Sequence, residues 1–126
     1  MKEVHPRVFV YLSGPITAKD GYTVEQNVAA AVKVYLDCLR RGIVAFCPHL
    51  SAAFPSAFDI AYETWMAMDL AVIERATHVL MLERWETSSG ARRELEHALA
   101  LGRAISYSLD ELEQQIVQEQ RRDRAR

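Results

Sequence analysis

The stretch that decides the fold reads Trp85-Glu86-Thr87-Ser88-Ser89-Gly90-Ala91-Arg92-Arg93-Glu94-Leu95-Glu96-His97-Ala98. It follows an apolar run, residues 78–82, whose composition predicts a buried strand. Small polar residues then form a turn, and the periodicity beyond them predicts a helix. Strand, turn and helix in this order are the repeating unit of a parallel α/β sheet.

The turn has two features of a ligand site. Ser88, Ser89 and Gly90 leave backbone N–H groups free at a helix start, where the helix dipole favours an anion. Glu94 lies six helical steps beyond Ser88, a rise of about 9 Å that is comparable to a phosphate plus a sugar. We therefore expect a phosphate at the helix start and a carboxylate near the sugar.

Composition restricts the class of protein. Of the 126 residues, 50% are hydrophobic and 25% are charged, which fits one globular domain over residues 1–120 and a charged, flexible tail over 121–126. The formal net charge of -2 argues against a nucleic-acid polymer or an anionic membrane as partner. No apolar run approaches the roughly 18 residues of a membrane span.

The cysteines and the first residues predict a cytoplasmic protein. Cys38 and Cys47 lie in apolar surroundings without metal-type spacing, and we interpret them as reduced core residues. The first five residues do not have the pattern of a signal peptide.

Strands and helices alternate along the whole chain. The patterns predict strands at 7–13, 43–47, 78–82 and 104–107, with the first three buried, and helices at 24–41, 61–75, 88–101 and 109–120. In the first helix the predicted buried stripe is Val28, Ala31, Val32, Tyr35, Leu36 and Leu39. This alternation predicts an α/β fold, a three-layer Rossmann- or flavodoxin-like parallel sheet of 4–5 strands with helices on both faces.

In such a sheet a ligand lies beyond the carboxyl ends of the strands. Ser13 and Gly14 follow the first strand, His49 follows the second, and residues 86–94 follow the third. These positions predict a single site at one edge of the sheet.

The segment 50–60 is the least regular part of the chain. Its serine, alanine, phenylalanine and proline content predicts a mobile or partner-contacting loop. With Tyr62 and Trp65 on the next helix it leaves apolar surface uncovered, so we expect a homo-oligomer, a homodimer or a dimer of dimers.

Three features together resemble the nucleoside 2-deoxyribosyltransferase-like superfamily over about residues 8–102. They are Tyr11-Leu12-Ser13-Gly14-Pro15, the helix that carries Asp69, and Trp85-Glu86-x-Ser88-x-Gly90-x-x-x-Glu94-x-x-x-Ala98. The branches it is most similar to are small nucleotide N-glycosidases that cleave deoxynucleoside monophosphates, and related uncharacterised phage and bacterial domains.

The resemblance implies a role for each matching residue. Glu94 is the nucleophile that attacks the anomeric carbon, Asp69 protonates or holds the base, and Tyr11 positions the nucleophile. Substrate or its phosphate contacts Ser13, Gly14, Ile16, Lys19, His49, Trp85, Ser88 and Gly90. The nucleotide hydrolases tend to have an arginine in the first loop, where this chain has Thr17, and Lys19 is the candidate replacement.

The predicted activity is cleavage of the base–sugar bond of a nucleoside or (deoxy)nucleoside 5′-monophosphate. The transition state is oxocarbenium-like, so one carboxylate stabilises or attacks the anomeric carbon while a second acid protonates the leaving base. Two alternatives stay open, a transferase that exchanges bases and a non-catalytic nucleotide-binding domain. We expect no cofactor and no metal, because the histidines and acids lack ligand spacing.

Each candidate residue also has a purely structural interpretation. Glu94 would be a charge on an exposed helix, and Asp69 would pair with Arg75 or cap another element. The remaining alternatives are core packing for Tyr11 and Trp85, a plain loop position for His49, and a helix cap for Ser88 that contributes about 1 kcal/mol.

Overall fold

Strands and helices alternate in the computed structural model of the protein, which describes residues 3–125. The strands are β1 (Val10–Ser13), β2 (Ala45–Phe46), β3 (His78–Met81) and β4 (Ala104–Ser106). The helices are α1 (Val24–Arg40), α2 (Tyr62–Arg75), α3 (Ser89–Ala100) and α4 (Leu109–Arg124). The strand order is β2-β1-β3-β4 and every pair is parallel, which confirms the predicted α/β fold class.

Helices cover both faces of the sheet. Because side chains alternate along a strand, Val10 and Leu12 of β1 pack on one face with residues of α1 and α4. Tyr11 packs on the other face with Ile73 of α2 and Leu95 of α3. Both central strands are buried along their full length, as their continuous apolar runs predict.

The two central strands place two loops side by side. Ser13 at the end of β1 is in register with Met81 at the end of β3, and the amide of Leu82 donates to the carbonyl of Ser13 at 2.8 Å. From β1 the chain moves outward to β2, and from β3 it moves the other way to β4. The loops after β1 and β3 therefore diverge at the switch point, where open α/β sheets bind ligands.

Two details of the predicted core are wrong. β2 has only two residues, which are half-buried, because it is the edge strand and α1 covers it from one side. In α1 the buried residues are Asn27, Ala31 and Cys38, whereas Leu36 and Leu39 are 40% and 43% exposed. The buried stripe is therefore rotated slightly around the helix from the predicted one.

The segment 50–60 has more local structure than predicted. Two short 3₁₀ helices, Pro48–Ala53 and Pro55–Asp59, cover most of it. Each begins at a proline, whose fixed φ and missing N–H suit the first helical position.

The predicted tail is mostly helical. α4 continues to Arg124, four residues beyond the predicted end at 120. Arg126 of the predicted tail, and Met1 and Lys2 of the predicted domain, lie outside the described residues. No helix within residues 3–125 combines the length and the apolar character that crossing a membrane requires.

Candidate active site

A cleft of about 440 Å³ opens at the carboxyl edge of β1 and β3. Its walls come from the loop after β1, the 3₁₀ segment, α2 and the start of α3. The charged residues among its described walls are two carboxylates, Asp69 and Glu94, and two cations, Lys19 and Arg84. The cleft therefore combines the groups expected of the predicted site.

Glu94 is held by two hydroxyl groups from β1. The Tyr11 hydroxyl donates to Oε2 of Glu94 at 2.7 Å, and Oγ of Ser13 donates to Oε1 at 2.7 Å. Tyr11 and Ser13 share one face of the strand because they are two residues apart, and α3 packs against that face. Glu94 is only 6% exposed, so the interpretation of it as an exposed helix charge is wrong.

Asp69 enters the same cleft from α2 and is 8% exposed. Among residues 3–125, its Oδ1 atom has no hydrogen-bond partner. The pairing with Arg75 does not form, since that guanidinium donates to the carbonyl of Ala71 instead. A buried oxygen left without a donor is unusual in a folded protein and suits a ligand that brings an N–H or O–H group.

Burial dominates the electrostatics of these side chains. It raises the pKa of Glu94, and the hydrogen bonds from Ser13 and Tyr11 oppose that rise. Burial likewise raises the pKa of Asp69, against interactions with Glu94 and Tyr11. The pKa of Tyr11 is raised by burial and by the charge of Glu94. Because both carboxyls are buried in one cleft, the two together keep a proton above the pH at which exposed carboxyls lose theirs.

The start of α3 offers fewer free amides than predicted. Ser88 caps the helix, since its Oγ accepts the Ala91 amide at 3.1 Å, and its own N–H donates to the Trp85 carbonyl at 3.0 Å. The amides of Ser89 and Gly90 precede the first intrahelical hydrogen bond and face no backbone acceptor within the helix. Both residues line the cleft, so the predicted anion site is reduced to these two amides.

The loop after β1 forms the opposite wall. Gly14, Ile16 and Lys19 all line the cleft, and their contact with a substrate stays a prediction. The Lys19 ammonium donates to the Thr87 carbonyl at 2.9 Å. That contact joins the first loop to the turn that precedes α3.

His49 and Trp85 do not lie in the cleft wall. His49 is buried behind the first loop, with Nε2 3.1 Å from the Pro15 carbonyl, and burial lowers its pKa to about 4. Trp85 packs against Tyr107 with ring centroids 5.9 Å apart. Both residues pack behind the residues that line the cleft, His49 against the first loop and Trp85 against Tyr107.

One wall of the cleft is apolar and consists of Phe58, Ile60, Tyr62, Trp65 and Met66. All of these except Met66 belong to the surface that the sequence predicts for a partner. Helical periodicity contains a signal for this wall, because residues 62, 65, 66 and 69 share one face of α2. Because Asp69 is a predicted site residue, the other residues on its face of α2 are also expected to line the cleft.

Arg84 is a further cleft residue that sequence reasoning missed. Its backbone is left-handed, with φ of 62°. Its guanidinium lies 3.4 Å from the centroid of the Tyr22 ring and donates to Oδ1 of Asn27 at 2.5 Å. Its place directly after β3 is the signal that was available.

Within residues 3–125, no group of three or more histidine, cysteine, aspartate or glutamate side chains is arranged to hold a metal ion.

Comparison with known proteins gives one family and a set of shared folds. A family model described as "Domain of unknown function (DUF4406)" matches residues 8–107. No curated protein sequence matches the chain.

Solved structures of two enzymes share the fold. One is a 2-deoxyribosyltransferase from the psychrotolerant bacterium Bacillus psychrosaccharolyticus, with a TM-score of 0.58 and 17% identity over 78% of this chain and 69% of that one. The other is a 2-desoxiribosyltransferase from Leishmania mexicana, with a TM-score of 0.57 and 16% identity over 78% of this chain and 61% of that one. The nucleoside 2-deoxyribosyltransferase-like fold is thereby confirmed.

Proposed function

The chain belongs to the family described as Domain of unknown function (DUF4406), and for this member we propose an N-glycosidase that cleaves the base–sugar bond of a nucleoside or (deoxy)nucleoside 5′-monophosphate. The observation that carries the proposal is the carboxylate of Glu94, buried at the cleft and bonded through both oxygens to Tyr11 and Ser13. Two fixed hydroxyl donors orient a carboxylate toward one reacting atom and leave it little freedom to rotate.

In the proposed reaction an oxygen of Glu94 attacks the anomeric carbon. The bond from that carbon to the base nitrogen breaks, its electron pair goes to the base, and a glycosyl ester of Glu94 forms. Water then attacks the same carbon, its proton passes to the Asp69 carboxylate, and the ester bond breaks to give the free sugar and the Glu94 carboxylate. Attack requires Glu94 to be ionised, which the donated hydrogen bonds from Tyr11 and Ser13 favour.

Asp69 is the proposed acid. In this proposal the proton of the reactive state is on Asp69, because the donors on both oxygens of Glu94 stabilise its ionised form and oppose the rise in its pKa that burial causes. Its unpartnered Oδ1 is available to a ring nitrogen or amino group of the base. Protonating the base as it leaves lowers the barrier, and general acids of this kind contribute about 10²- to 10⁴-fold in rate.

The proposal is tested by incubating the protein with a panel of ribo- and deoxyribonucleosides and their 5′-monophosphates and measuring free base by chromatography. We expect Glu94→Gln to lower base release by about 10³-fold or more, because the nucleophile is lost. Glu96→Gln is the matched control, since Glu96 is exposed on the same helix and its loss leaves the rate unchanged. Equal base release by wild type and Glu94→Gln, including none from either, overturns the proposal.

A second candidate is a transferase that moves the sugar to another base, the activity named for the two solved enzymes described above. The two activities differ only in what attacks the glycosyl ester. Adding a second, different base to the assay separates them, because a transferase forms a new nucleoside whereas a hydrolase forms free sugar.

A third candidate is a nucleotide-binding domain without turnover. In that case nucleotides at 100 times their Kd stabilise the fold by about 2.7 kcal/mol while no base is released. Thermal unfolding with and without nucleotide, next to the base-release assay, identifies this outcome.

We also propose that the protein is a homo-oligomer that acts in the cytoplasm. Apolar side chains remain exposed in the segment 50–60 and at the start of α2, including Phe54 at 66%, Phe58 and Tyr62, and such patches favour association. Light scattering that shows only a 14.3 kDa species contradicts this. Free, buried Cys38 and Cys47 suit a reducing compartment.

A further inference from the structure

Arg84 has a backbone conformation that arginine seldom adopts. Within residues 3–125, the non-glycine residues with positive φ are Arg84 and Asp20. Side chains other than glycine, asparagine and aspartate rarely take the left-handed region, and such outliers cluster at functional sites. The turn after β3 therefore holds the Arg84 side chain where an ordinary turn would not.

The guanidinium is fixed by groups from two other elements. It stacks on Tyr22 of the first loop and donates to Asn27 in the first turn of α1. The Asn27 amide in turn donates to the carbonyls of Ile16 and Thr17, each at 3.1 Å. Among the described residues, the guanidinium uses one of its five N–H groups on a hydrogen bond, so several donors are left for a ligand in the cleft that Arg84 lines.

Lys19 and Arg84, the two cationic residues of the cleft wall, are both linked to Thr87 in the turn before α3. The Lys19 ammonium donates to the Thr87 carbonyl, and the Thr87 hydroxyl donates to the Arg84 carbonyl at 2.7 Å. The free amides of Ser89 and Gly90 follow directly in the chain. The carboxylates Asp69 and Glu94 lie on α2 and one and a half turns into α3, so the cleft has one cationic and one acidic part.

A molecule with a doubly charged anion at one end and a sugar–base linkage at the other fits this polarity. We propose that Arg84 is the specificity-determining residue that makes nucleoside 5′-monophosphates, rather than free nucleosides, the ligands of this cleft. This rests on the proposed function for the site itself. A planar guanidinium that is already oriented binds two phosphate oxygens at once, which a flexible ammonium does not.

The competing explanation is that Arg84 only fastens the first loop. Its contacts with Tyr22 and Asn27 would then shape the cleft for every ligand alike. A fastening role weakens nucleoside and monophosphate equally, whereas a phosphate ligand weakens the monophosphate selectively.

The test measures Kd by calorimetry for one nucleoside and its 5′-monophosphate, in the Glu94→Gln background so that nothing is turned over. We expect Arg84→Gln to weaken the monophosphate at least tenfold more than the nucleoside, since hydrogen bonds between charged groups contribute about 10- to 150-fold in affinity. Arg84→Lys recovers part of that preference. Arg92→Gln is the control, because Arg92 is an exposed arginine beside the same helix start whose guanidinium donates to the Glu86 carbonyl.

Arg84→Gly is a second variant for the case that Arg84→Gln does not fold. It also removes the guanidinium, and glycine adopts the left-handed backbone conformation at no steric cost. Equal losses for both ligands in Arg84→Gln and Arg84→Gly overturn the inference. If neither the nucleoside nor its 5′-monophosphate binds to the Glu94→Gln protein with or without the Arg84 substitution, the inference is overturned as well. If wild type releases base from nucleoside and monophosphate with equal kcat/KM, the proposed function stands and the inference fails. If base is never released but binding of the monophosphate depends on Arg84, the inference stands and the proposed function fails.

Discussion

The two ends of the sheet both carry a depression, and the two depressions are similar in size. The one at the carboxyl ends of β1 and β3 has about 440 Å³, and the one at their amino ends has about 490 Å³. Both contain buried or half-buried titratable side chains. Volume alone therefore does not identify the functional end.

The difference lies in whether the polar groups are paired with each other. At the amino end, His78 has Nε2 3.0 Å from Oε2 of Glu119 and Nδ1 2.7 Å from Oγ1 of Thr77, and Nε2 of Gln120 lies 2.6 Å from Nδ1 of His5. At the carboxyl end, Oδ1 of Asp69 lacks a partner and burial raises two carboxyl pKa values. Paired groups stabilise the fold, whereas unpaired and perturbed ones mark a site that awaits a ligand.

The largest expected effect is on how stability depends on pH. The ordinary pKa values of Glu94 and Asp69 are 4.5 and 3.8, and burial raises both in the folded protein. The folded pair therefore holds a proton that the unfolded chain has released, so its contribution is fully present at low pH and is lost as pH rises through the folded pKa values. The free energy of unfolding of the wild type should therefore fall by roughly 3 kcal/mol between pH 4.5 and pH 9 because of this pair. Glu94→Gln should not show this fall.

Urea unfolding of wild type and Glu94→Gln across that pH range measures the effect. The free energy of unfolding of Glu94→Gln should increase relative to that of wild type as pH rises. Glu96→Gln is the control and should keep the slope of the wild type. If the free energies of unfolding of wild type and Glu94→Gln depend on pH in the same way, the carboxyls at the carboxyl end do not have raised pKa values and the prediction is wrong.

The next effect concerns the amino end. His78→Leu removes two hydrogen bonds of a buried ring that is 4% exposed, and we expect a loss of about 2 kcal/mol of stability with ligand binding unchanged. His97→Leu is the matched control, because His97 pairs with Glu74 at 3.2 Å on a far more exposed surface, where such pairs contribute less than about 1 kcal/mol. If His78→Leu keeps its fold but loses nucleotide binding, the amino end also contributes to the ligand site and the assigned difference between the two ends is wrong.

Much of the carboxyl end can be predicted from the sequence because it depends on local patterns. The continuous apolar runs that become β1 and β3 predict buried parallel strands, and the turn residues 86–90 predict a helix start. Glu94 then follows at a helical distance that does not depend on tertiary structure. These are the elements for which periodicity alone is sufficient.

Other features depend on packing that no local pattern contains. The apolar residues of α1 form two overlapping stripes, and the crossing of α1 over the sheet decides that Cys38 is buried and Leu39 is not. The left-handed turn at Arg84 is favoured by no residue type present there. The coupling of Asp69 with Glu94 requires α2 and α3 to lie side by side, which is a property of the assembled fold.

A smaller effect is expected from the tight backbone packing of the carboxyl end. A Cβ added at Gly14 would lie 2.8 Å from Cβ of Leu82, closer than real contacts allow. Gly14→Ala should therefore cost about 1–2 kcal/mol of stability, because the first loop must shift away from β3. Gly90→Ala is the matched control in the same cleft, since its nearest neighbour is Cε of Met66 at 3.5 Å, an ordinary contact. Equal urea midpoints for the two variants would contradict the prediction.

The smallest effect measures the strain at Arg84 without its side-chain contacts. Arg84→Gly and Arg84→Ala both remove the guanidinium, so the difference between them reports the backbone alone. With φ at 62°, glycine should be the more stable of the two by about 1 kcal/mol. At the neighbouring Glu83, which is not among the residues with positive φ, the order should reverse, because there glycine only adds freedom to the unfolded chain. The same order at both positions would mean that the turn relaxes once the guanidinium is gone, and that its contacts with Tyr22 and Asn27 hold the backbone in its strained form.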